Sequence, residues 1–149
     1  MRAVLQRVSS ACVTVGGEVL GEIAAGLLVL VAATHDDTEQ QARWLAGKVA
    51  GLRVLRDGQR DEGSAVSEQA PVLVISQFTL YAEVSSGRRP SWQAAAPAAQ
   101  AEPLVLAFIA ELRALGLLVR TGRFGADMAV SSVNDGPLTI LLDTPPRPP

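Results

Sequence analysis

Short apolar runs separated by polar turns dominate the chain, and this pattern predicts strands. Apart from a central stretch described below, the predicted strands are 3–8, 12–15, 18–23, 27–33, 52–55, 117–120, 128–133 and 137–143. Gly16-Gly17 supports a tight turn that joins the second and third of these into a hairpin. Segments 56–70 and 82–92 have no period and are predicted loops, and Asn134-Asp135-Gly136-Pro137 is a strong turn signal.

Two segments instead repeat their apolar residues with the period of an amphipathic helix. The first follows Asp36-Asp37-Thr38, which offers capping side chains, and runs to about Gly51. Its predicted buried face consists of Ala42, Leu45, Ala46 and Val49. The second begins near Glu102-Pro103 and ends at Gly116. Its predicted buried face consists of Leu104, Phe108, Leu112 and Leu115.

These elements predict an α+β fold. Because most strands follow one another directly, the sheets should be mostly antiparallel and form a barrel-like core with the two helices packed outside. A chain of 149 residues has the length of one domain. We therefore expect a single compact domain over residues 1–144, followed by a disordered Pro-rich tail over residues 145–149.

The composition excludes several classes of protein. With 48% hydrophobic and 19% charged residues, the chain is expected to be globular. No apolar run reaches the ~18 residues of a membrane span, and no signal-peptide pattern opens the chain, so we expect a cytoplasmic protein. The net charge of −2 argues against a pure nucleic-acid-binding module, whose surface is normally basic.

Cysteine and histidine are too scarce for two common kinds of site. A single Cys excludes an internal disulfide, and one Cys with one His cannot build a Cys/His zinc site, so we predict no metal and no cofactor. A catalytic triad would depend on His35 alone, which follows a predicted strand and has the pattern of a solvated loop residue.

The central stretch 72–80 begins as a strand buried on both faces and becomes polar at Ser76, Gln77 and Thr79. A buried polar group without a partner costs on the order of 1–3 kcal/mol. The polar residues therefore either bond the neighbouring backbone at a plain strand end or form the floor of a ligand pocket, and the residues alone leave both interpretations open.

Five segments, in order, resemble the D-aminoacyl-tRNA deacylases of the bacterial and eukaryotic (D-tyrosyl-tRNA deacylase) type. They are Leu5-Gln6-Arg7-Val8, Ser76-Gln77-Phe78-Thr79-Leu80, Arg89-Pro90-Ser91-Trp92, Thr121-Gly122-Arg123-Phe124-Gly125-Ala126-Asp127-Met128 and Asn134-Asp135-Gly136-Pro137-Leu138-Thr139. The resemblance extends from Met1 to about Thr144. The chain departs from the family at Glu62-Gly63-Ser64-Ala65, where a Met-Asn pair is frequent, at Trp92, usually Phe, and at Leu138, usually Val.

The resemblance implies a homodimer that hydrolyses the ester between a D-amino acid and the terminal ribose of tRNA. The implied catalytic segment is Ser76, Gln77, Phe78 and Thr79, and the implied substrate-binding residues are Leu80, Phe124, Met128, Gly136, Pro137 and Arg7. Gly136-Pro137 would carry a cis peptide bond and reach into the partner's pocket, anchored by Arg7. The residues alone leave simpler interpretations open: Gly136-Pro137 as an ordinary turn, Arg7 as a surface arginine, and Phe124 and Met128 as core-packing residues.

The implied RNA contacts and chemistry complete the expectation. Arg88, Arg89 and Lys48 would contact tRNA phosphates. No base lies beside Ser76 or Thr79 in the sequence, and a hydroxyl without a base is a poor nucleophile. We therefore expect substrate-assisted hydrolysis, with backbone N–H groups of Phe78 and Thr79 as oxyanion donors, steric rejection of L-amino acids, and cleavage of glycyl-tRNA. The alternatives are a non-catalytic RNA-binding dimer module and a general esterase with Thr79 as nucleophile.

Overall fold

The structure is a computed structural model that describes residues 1–146. Within that range the chain forms eight strands, two α-helices and one 3₁₀ turn. In chain order they are β1 Arg2–Val15, β2 Glu18–Ile23, β3 Gly26–Ala32, α1 Glu39–Gly51, β4 Leu55–Asp57, β5 Arg60–Gly63, β6 Val72–Ser76, the 3₁₀ turn Phe78–Tyr81, α2 Ala98–Ala114, β7 Val119–Thr121 and β8 Ala129–Asp143.

The long strand β1 organises a six-stranded sheet. One edge of β1 pairs antiparallel with β3 along its first half and with β2 along its second half, while its other edge pairs with β8. Strands β6 and β7 continue the sheet beyond β3 in parallel. Strands β2 and β7 also approach closely, since a Cβ atom on Gly21 would lie 2.9 Å from the carbonyl oxygen of Thr121. The predicted α+β class, with a nearly closed barrel-like sheet, is confirmed, and the β3–β6–β7 pairings are its parallel part.

Both helices pack their apolar faces on this core. The predicted face of α1 is fully buried, and the side chains of Thr38 and Gln41 form a capping box at its start. In α2, Leu104, Phe108 and Leu112 are buried as predicted. Leu115 is 40% exposed, so its predicted burial is wrong; it is the C-cap residue, where the chain leaves the helix. Gly116 follows with a φ of 87°, the left-handed conformation that ends many helices.

Helix α2 begins four residues before the predicted start near Glu102-Pro103. The small residues at 98–101 include three alanines, and alanine has the strongest helix propensity. The helix therefore extends back to Ala98, and Pro103 lies inside it. The strand predicted at 117–120 is also displaced, to Val119–Thr121.

The two strands predicted at 3–8 and 12–15 are one continuous strand, so that prediction is wrong. Ser9 and Ser10, the polar interruption, are exposed where β1 changes partner: pairing with β3 ends at Val8, and pairing with β2 begins at Ala11. The polar residues thus mark a change of neighbour within a strand.

The predicted strand 52–55 is displaced to Leu55–Asp57, and the predicted loop 56–70 is a loop only from Ser64 onwards. Leu55–Asp57 pairs instead with Arg60–Gly63 in a small hairpin outside the main sheet. Of these seven residues only Leu55 and Gly63 are buried, so no apolar alternation was available to reveal the hairpin.

The turn predicted at Asn134-Asp135-Gly136-Pro137 does not reverse the chain. The predicted strands 128–133 and 137–143 are parts of the single strand β8, which pairs with β1 on both sides of this segment. Between the Gln6–Thr139 and Val8–Asn134 pairs, β8 contains extra residues that bulge out of the ladder. The peptide bond between Gly136 and Pro137 within this bulge is cis.

The predicted disordered tail, 145–149, lies largely outside the described residues, which end at Pro146. The carbonyl oxygen of Pro146 accepts a hydrogen bond from Nε2 of Gln41 at 3.2 Å. The extent of the domain and the disorder of the tail stay predictions.

Candidate active site

A cavity of about 580 Å³ opens where β6 ends. The backbone N–H of Gln77 donates to the carbonyl of Val31 at 2.8 Å, which holds the end of β6 against β3. The residues that line the cavity are Val31, Ala32, Ala33, Ile75, Ser76, Gln77, Phe78, Trp92, Ala95, Ala96, Pro97, Ala98, Ala101, Val105, Phe124, Gly125, Ala126, Asp127, Met128 and Val130. The polar end of the central strand is therefore part of a pocket.

The 3₁₀ turn begins at Phe78, which lines the cavity. Because the first N–H groups of any helix have no acceptor inside the helix, those of Phe78 and Thr79 are not used by the turn itself. The hydroxyl of Thr79 accepts a hydrogen bond from Nε2 of Gln77 at 2.5 Å. This contact fixes the Thr79 hydroxyl to an amide that cannot act as a base.

Arg2 supports the other end of the turn. Its Nη1 donates to the carbonyl of Leu80 at 3.1 Å, and its guanidinium lies 5.1 Å from the centre of the Tyr81 ring. Burial, together with the nearby Asp37, raises the pKa of Tyr81 to about 12. The turn is therefore tied to β1 through Leu80 and Tyr81, neither of which lines the cavity.

The sequence-predicted pocket residues are only partly brought together. Ser76, Gln77, Phe78, Phe124 and Met128 line the cavity. Thr79 and Leu80, implied as catalytic and substrate-binding residues, are not among its lining residues. The hydroxyl of Thr79 contacts the lining residue Gln77, and the carbonyl of Leu80 accepts from Arg2.

Sequence reasoning did not select Trp92, Asp127 or the 95–98 wall as site residues. Asp127 is the only ionisable side chain among the described residues that line the cavity. Trp92 and Asp127 both belong to segments that resemble the family, and this resemblance could have identified them as site residues. The alanines at 95–98 have no feature in the sequence that marks them as part of a site. Lys48 lies over the ring of Trp44, 5.4 Å from its centre, and does not line the cavity.

His35 holds one wall of the cavity from outside. Its Nε2 is 2.7 Å from the carbonyl of Gln93, and the Thr34 hydroxyl donates to the carbonyl of Ala94 at 2.6 Å. The backbone N–H of Ala96 donates to the carbonyl of Ala33. The segment that precedes α2 is thereby fixed against the end of β3.

A second group of predicted residues surrounds Arg7, which is only 5% exposed. Its Nε donates to the carbonyl of Asp135 at 3.0 Å, and its Nη1 donates to the carbonyl of Val54 at 2.9 Å and to Oδ1 of Asp61 at 2.8 Å. Arg7 thus bonds the peptide that immediately precedes Gly136.

Further contacts fix the bulge from both sides. Nε of Arg56 donates to Oδ2 of Asp135 at 3.2 Å, and this hydrogen bond lowers the pKa of Asp135. The side chain of Asn134 accepts from the N–H of Leu138 at 2.9 Å. The hydroxyl of Thr139 accepts from Nε2 of Gln6 at 3.0 Å and lies 3.1 Å from Nδ2 of Asn134.

The bulge and the cavity are separate within one chain. None of residues 134–138 lines the 580 Å³ cavity, and Arg7 and Asp135 line a smaller one of about 300 Å³. Among residues 1–146, no group of three or more His, Cys, Asp or Glu side chains could hold a metal ion. No helix in that range is long and apolar enough to cross a membrane.

Comparisons with known proteins match nearly the whole chain to one family. The family model of D-Tyr-tRNA(Tyr) deacylase matches residues 4–143. A D-aminoacyl-tRNA deacylase of Acidothermus cellulolyticus is 58% identical over 144 residues, which are 96% of this chain and 99% of the relative. One of Kineococcus radiotolerans is 60% identical with the same coverage.

Solved structures share the fold. A structure described as c-Myc DNA Unwinding Element Binding Protein superposes with a TM-score of 0.90 at 39% identity, covering 97% of this chain and 99% of that one. A probable eukaryotic D-amino acid tRNA deacylase has a TM-score of 0.82 at 16% identity, covering 95% and 97%. At that identity, the second likeness concerns the fold alone.

Proposed function

This chain belongs to the D-Tyr-tRNA(Tyr) deacylase family, and from that membership we propose that it hydrolyses the ester bond of D-aminoacyl-tRNA in the cytoplasm, releasing free D-amino acid and tRNA. The observation that carries the proposal is the cavity at the end of β6, whose wall combines apolar side chains with the polar end of the strand and the first residue of the 3₁₀ turn, Ser76, Gln77 and Phe78. Its volume of about 580 Å³ is typical of a small-molecule site.

The reaction is substrate-assisted. An aminoacyl ester is activated by its own ammonium group and by the neighbouring ribose 2′-hydroxyl, so placement and oxyanion stabilisation are the main requirements. Placement can lower a barrier by ~7–11 kcal/mol, and one oxyanion donor contributes ~2.7–4 kcal/mol. The N–H groups of Phe78 and Thr79 are the proposed donors. A Thr79 nucleophile is disfavoured because its hydroxyl accepts from the Gln77 amide.

The active site is shared between two subunits of a homodimer. The Gly136-Pro137 segment lies outside its own chain's cavity and is fixed by Arg7 in an exposed bulge, so it is available to a partner. In the partner's cavity its carbonyl oxygens would accept hydrogen bonds from the substrate's ammonium group. The outer face of β8 carries the exposed side chains Val133 and Leu141, which suits a subunit interface.

Chirality is read by exclusion. If main-chain groups hold both the ammonium group and the ester carbonyl, the α-carbon is fixed, and only a D side chain can point outwards. Backbone atoms cannot rotate away as side chains can, so an L side chain is rejected sharply. Glycine has no side chain to reject, and glycyl-tRNA is therefore also a substrate.

The test uses one tRNA charged in turn with D-alanine, L-alanine and glycine, with release of free amino acid measured over time. We expect rapid release of D-alanine and glycine and no release of L-alanine above the uncatalysed rate. Equal release of both enantiomers would contradict the chiral mechanism, whereas inertness towards glycyl-tRNA alone would contradict the steric one. Binding that is independent of the amino acid, without release, would indicate an RNA-binding module.

A further inference from the structure

An exposed aromatic pair stands at the mouth of the cavity. Phe78 and Trp92 both line it, and their ring centroids are 5.4 Å apart with the planes at 78°. The two side chains are 55% and 42% exposed, although the chain has only three Phe, two Trp and one Tyr. An edge-to-face contact covers at most one face of one ring. Flat aromatic faces therefore remain open beside the cavity.

The loop that leads to Trp92 carries two cations. Glu83 and Ser91 exchange backbone hydrogen bonds of 2.9 Å, which close the loop directly before Trp92. Arg88 and Arg89, near the tip, are exposed, and neither forms an ion pair within the described residues. The carboxylate of Glu83 accepts from the N–H of Ser85 at 2.6 Å, so the loop's acidic group is occupied within the loop.

The cavity itself contains no Lys or Arg among its described lining residues. An RNA strand that places its terminal nucleoside in the cavity must therefore have its phosphates neutralised outside. The chain between Arg89 and Trp92 is short enough, at ~3.3–3.6 Å per residue, to keep that cation close to the aromatic pair. Aromatic faces next to cations are the combination that binds single-stranded nucleic acid.

We propose that Phe78, Trp92 and the arginines of the 83–91 loop bind the single-stranded 3′ end of the RNA upstream of its terminal nucleotide. A base of this strand stacks on the aromatic pair, and Arg88 and Arg89 neutralise the adjoining phosphates. This inference rests on the proposed function, because it assumes that the cavity holds the aminoacylated terminal nucleoside. The pair thus selects an RNA-linked ester over a free one.

The first experiment compares two substrates in a Trp44→Phe background, where Trp92 is the remaining tryptophan. One substrate is D-alanyl-tRNA, and the other is D-alanyl-adenosine, which has no upstream nucleotide. We expect Trp92→Ala to lower kcat/KM for the tRNA about 10- to 100-fold more than for D-alanyl-adenosine, the range for loss of one stacked base. Trp92→Phe, which keeps a ring, should restore most of the activity.

Equal losses on the two substrates would overturn the inference, because the ring would then shape the cavity for the ester itself. No loss on the tRNA would overturn it as well. If the parent protein cleaves neither substrate, the proposed function fails, and the stacking is then tested by fluorescence. Uncharged tRNA should quench Trp92 more than saturating adenosine does; no quenching by tRNA beyond that of adenosine would overturn the inference independently of activity.

The second experiment tests the arginines through salt. Each phosphate contact on a single strand contributes ~0.7 to the slope of log affinity against log salt concentration. The double variant Arg88→Gln/Arg89→Gln should therefore reduce the slope for tRNA binding by about 1.4. The matched control Arg43→Gln/Arg53→Gln removes the same charge from α1 and the segment after it and should leave the slope unchanged. An equal effect of both pairs, or none from the first, would contradict the phosphate contacts.

Discussion

At the scale of single residues, the candidate active site is poor in groups that can move protons. Asp127 is the only ionisable side chain among its described lining residues, and His35 contacts the carbonyl of Gln93 outside the cavity. Thr79, the obvious hydroxyl, is engaged by Gln77. The proposed chemistry therefore depends on main-chain placement, which has direct consequences for substitutions.

We expect Ser76→Ala and Thr79→Ala each to keep single-turnover deacylation within about tenfold of the parent rate, because neither hydroxyl has a base to activate it. Thr14→Ala, on β1 and outside the cavity lining, is the control for loss of a threonine hydroxyl. A fall of about a thousandfold or more in Thr79→Ala, with tRNA binding intact, would instead support a covalent acyl-threonine intermediate.

Tyr81, the last residue of the 3₁₀ turn, provides a test of how its ring is packed. Burial of the phenol, reinforced by Asp37, raises its pKa to about 12 from 10.0. The unfolded chain ionises near pH 10 and the folded one does not, so this contribution to stability is complete below pH 10 and is lost as the pH rises towards 12. Because the chain has one Tyr, ultraviolet titration of tyrosinate follows this group alone.

The Arg2 guanidinium opposes the shift, since its charge lowers the pKa of Tyr81. Arg2→Met is therefore expected to move the tyrosinate midpoint further upwards, and Asp37→Asn to move it downwards. A folded protein whose tyrosine titrates at the value of the unfolded chain would show that Tyr81 is not packed as described.

At the scale of elements, the sequence predicts what hydrophobic period can reveal. The hairpin of β1 with β2, the strand β3 and the buried face of α1 follow from apolar spacing and turn chemistry. The bulge in β8 does not, because Asn-Asp-Gly-Pro is equally typical of a chain reversal. The deciding fact is that β1 offers pairing on both sides of it, and that is tertiary information.

The residues of the candidate site were likewise predicted only in part. The polar end of β6 indicated a possible pocket from the residues alone, and the family resemblance supplied Phe124 and Met128, which do line it. Alanines of the 95–98 wall carry no chemical signal, and only the packing of the segment before α2 against β3 reveals them. The absence of Thr79 and Leu80 from the lining was not predicted, because the pattern of polar and apolar residues does not specify the 3₁₀ turn in which they lie.

The bulge also makes Gly136 hard to replace. Its φ is 141°, and an added Cβ would lie 2.9 Å from the backbone nitrogen of Leu138 and 3.0 Å from Nη2 of Arg7. We expect Gly136→Ala to lower the free energy of unfolding by about 1–3 kcal/mol and to reduce deacylation strongly. Chemical denaturation and single-turnover assays measure the two effects.

Gly58→Ala is the matched control. Gly58 also has a positive φ, 63°, but an added Cβ there meets no atom within 4 Å. Gly58→Ala should therefore lower the free energy of unfolding only through its backbone strain and should keep its deacylation activity. If both variants lost activity equally, the loss in Gly136→Ala could not be attributed to the close contacts of the added Cβ with Arg7 and Leu138.

At the scale of the whole molecule, one chain holds the two halves of the proposed site, which do not meet. The cavity lies at the end of β6, and the Gly136-Pro137 bulge lies on β8 beside Arg7, lining no part of it. Such a division is useful only if a second copy supplies the missing half. In the proposed C₂ dimer this would happen twice, because each subunit would complete the site of the other.

This arrangement predicts complementation between two inactive proteins. Ala126→Trp fills the cavity, and Gly136→Ala disturbs the segment offered to the partner. A heterodimer of the two contains one site with an intact cavity and an intact Gly136-Pro137, and one site with neither. We expect the heterodimer, isolated through two different affinity tags, to recover about half of the wild-type activity per dimer.

Each homodimer should remain inactive on D-alanyl-tRNA, and thermal melts should show that both variants fold. If each chain completed its own cavity, the heterodimer would contain no intact site and would stay inactive. A monomer would show no recovery on mixing at any concentration. Because recovery requires groups from two chains at one site, it separates a shared active site from a dimer whose subunits act independently.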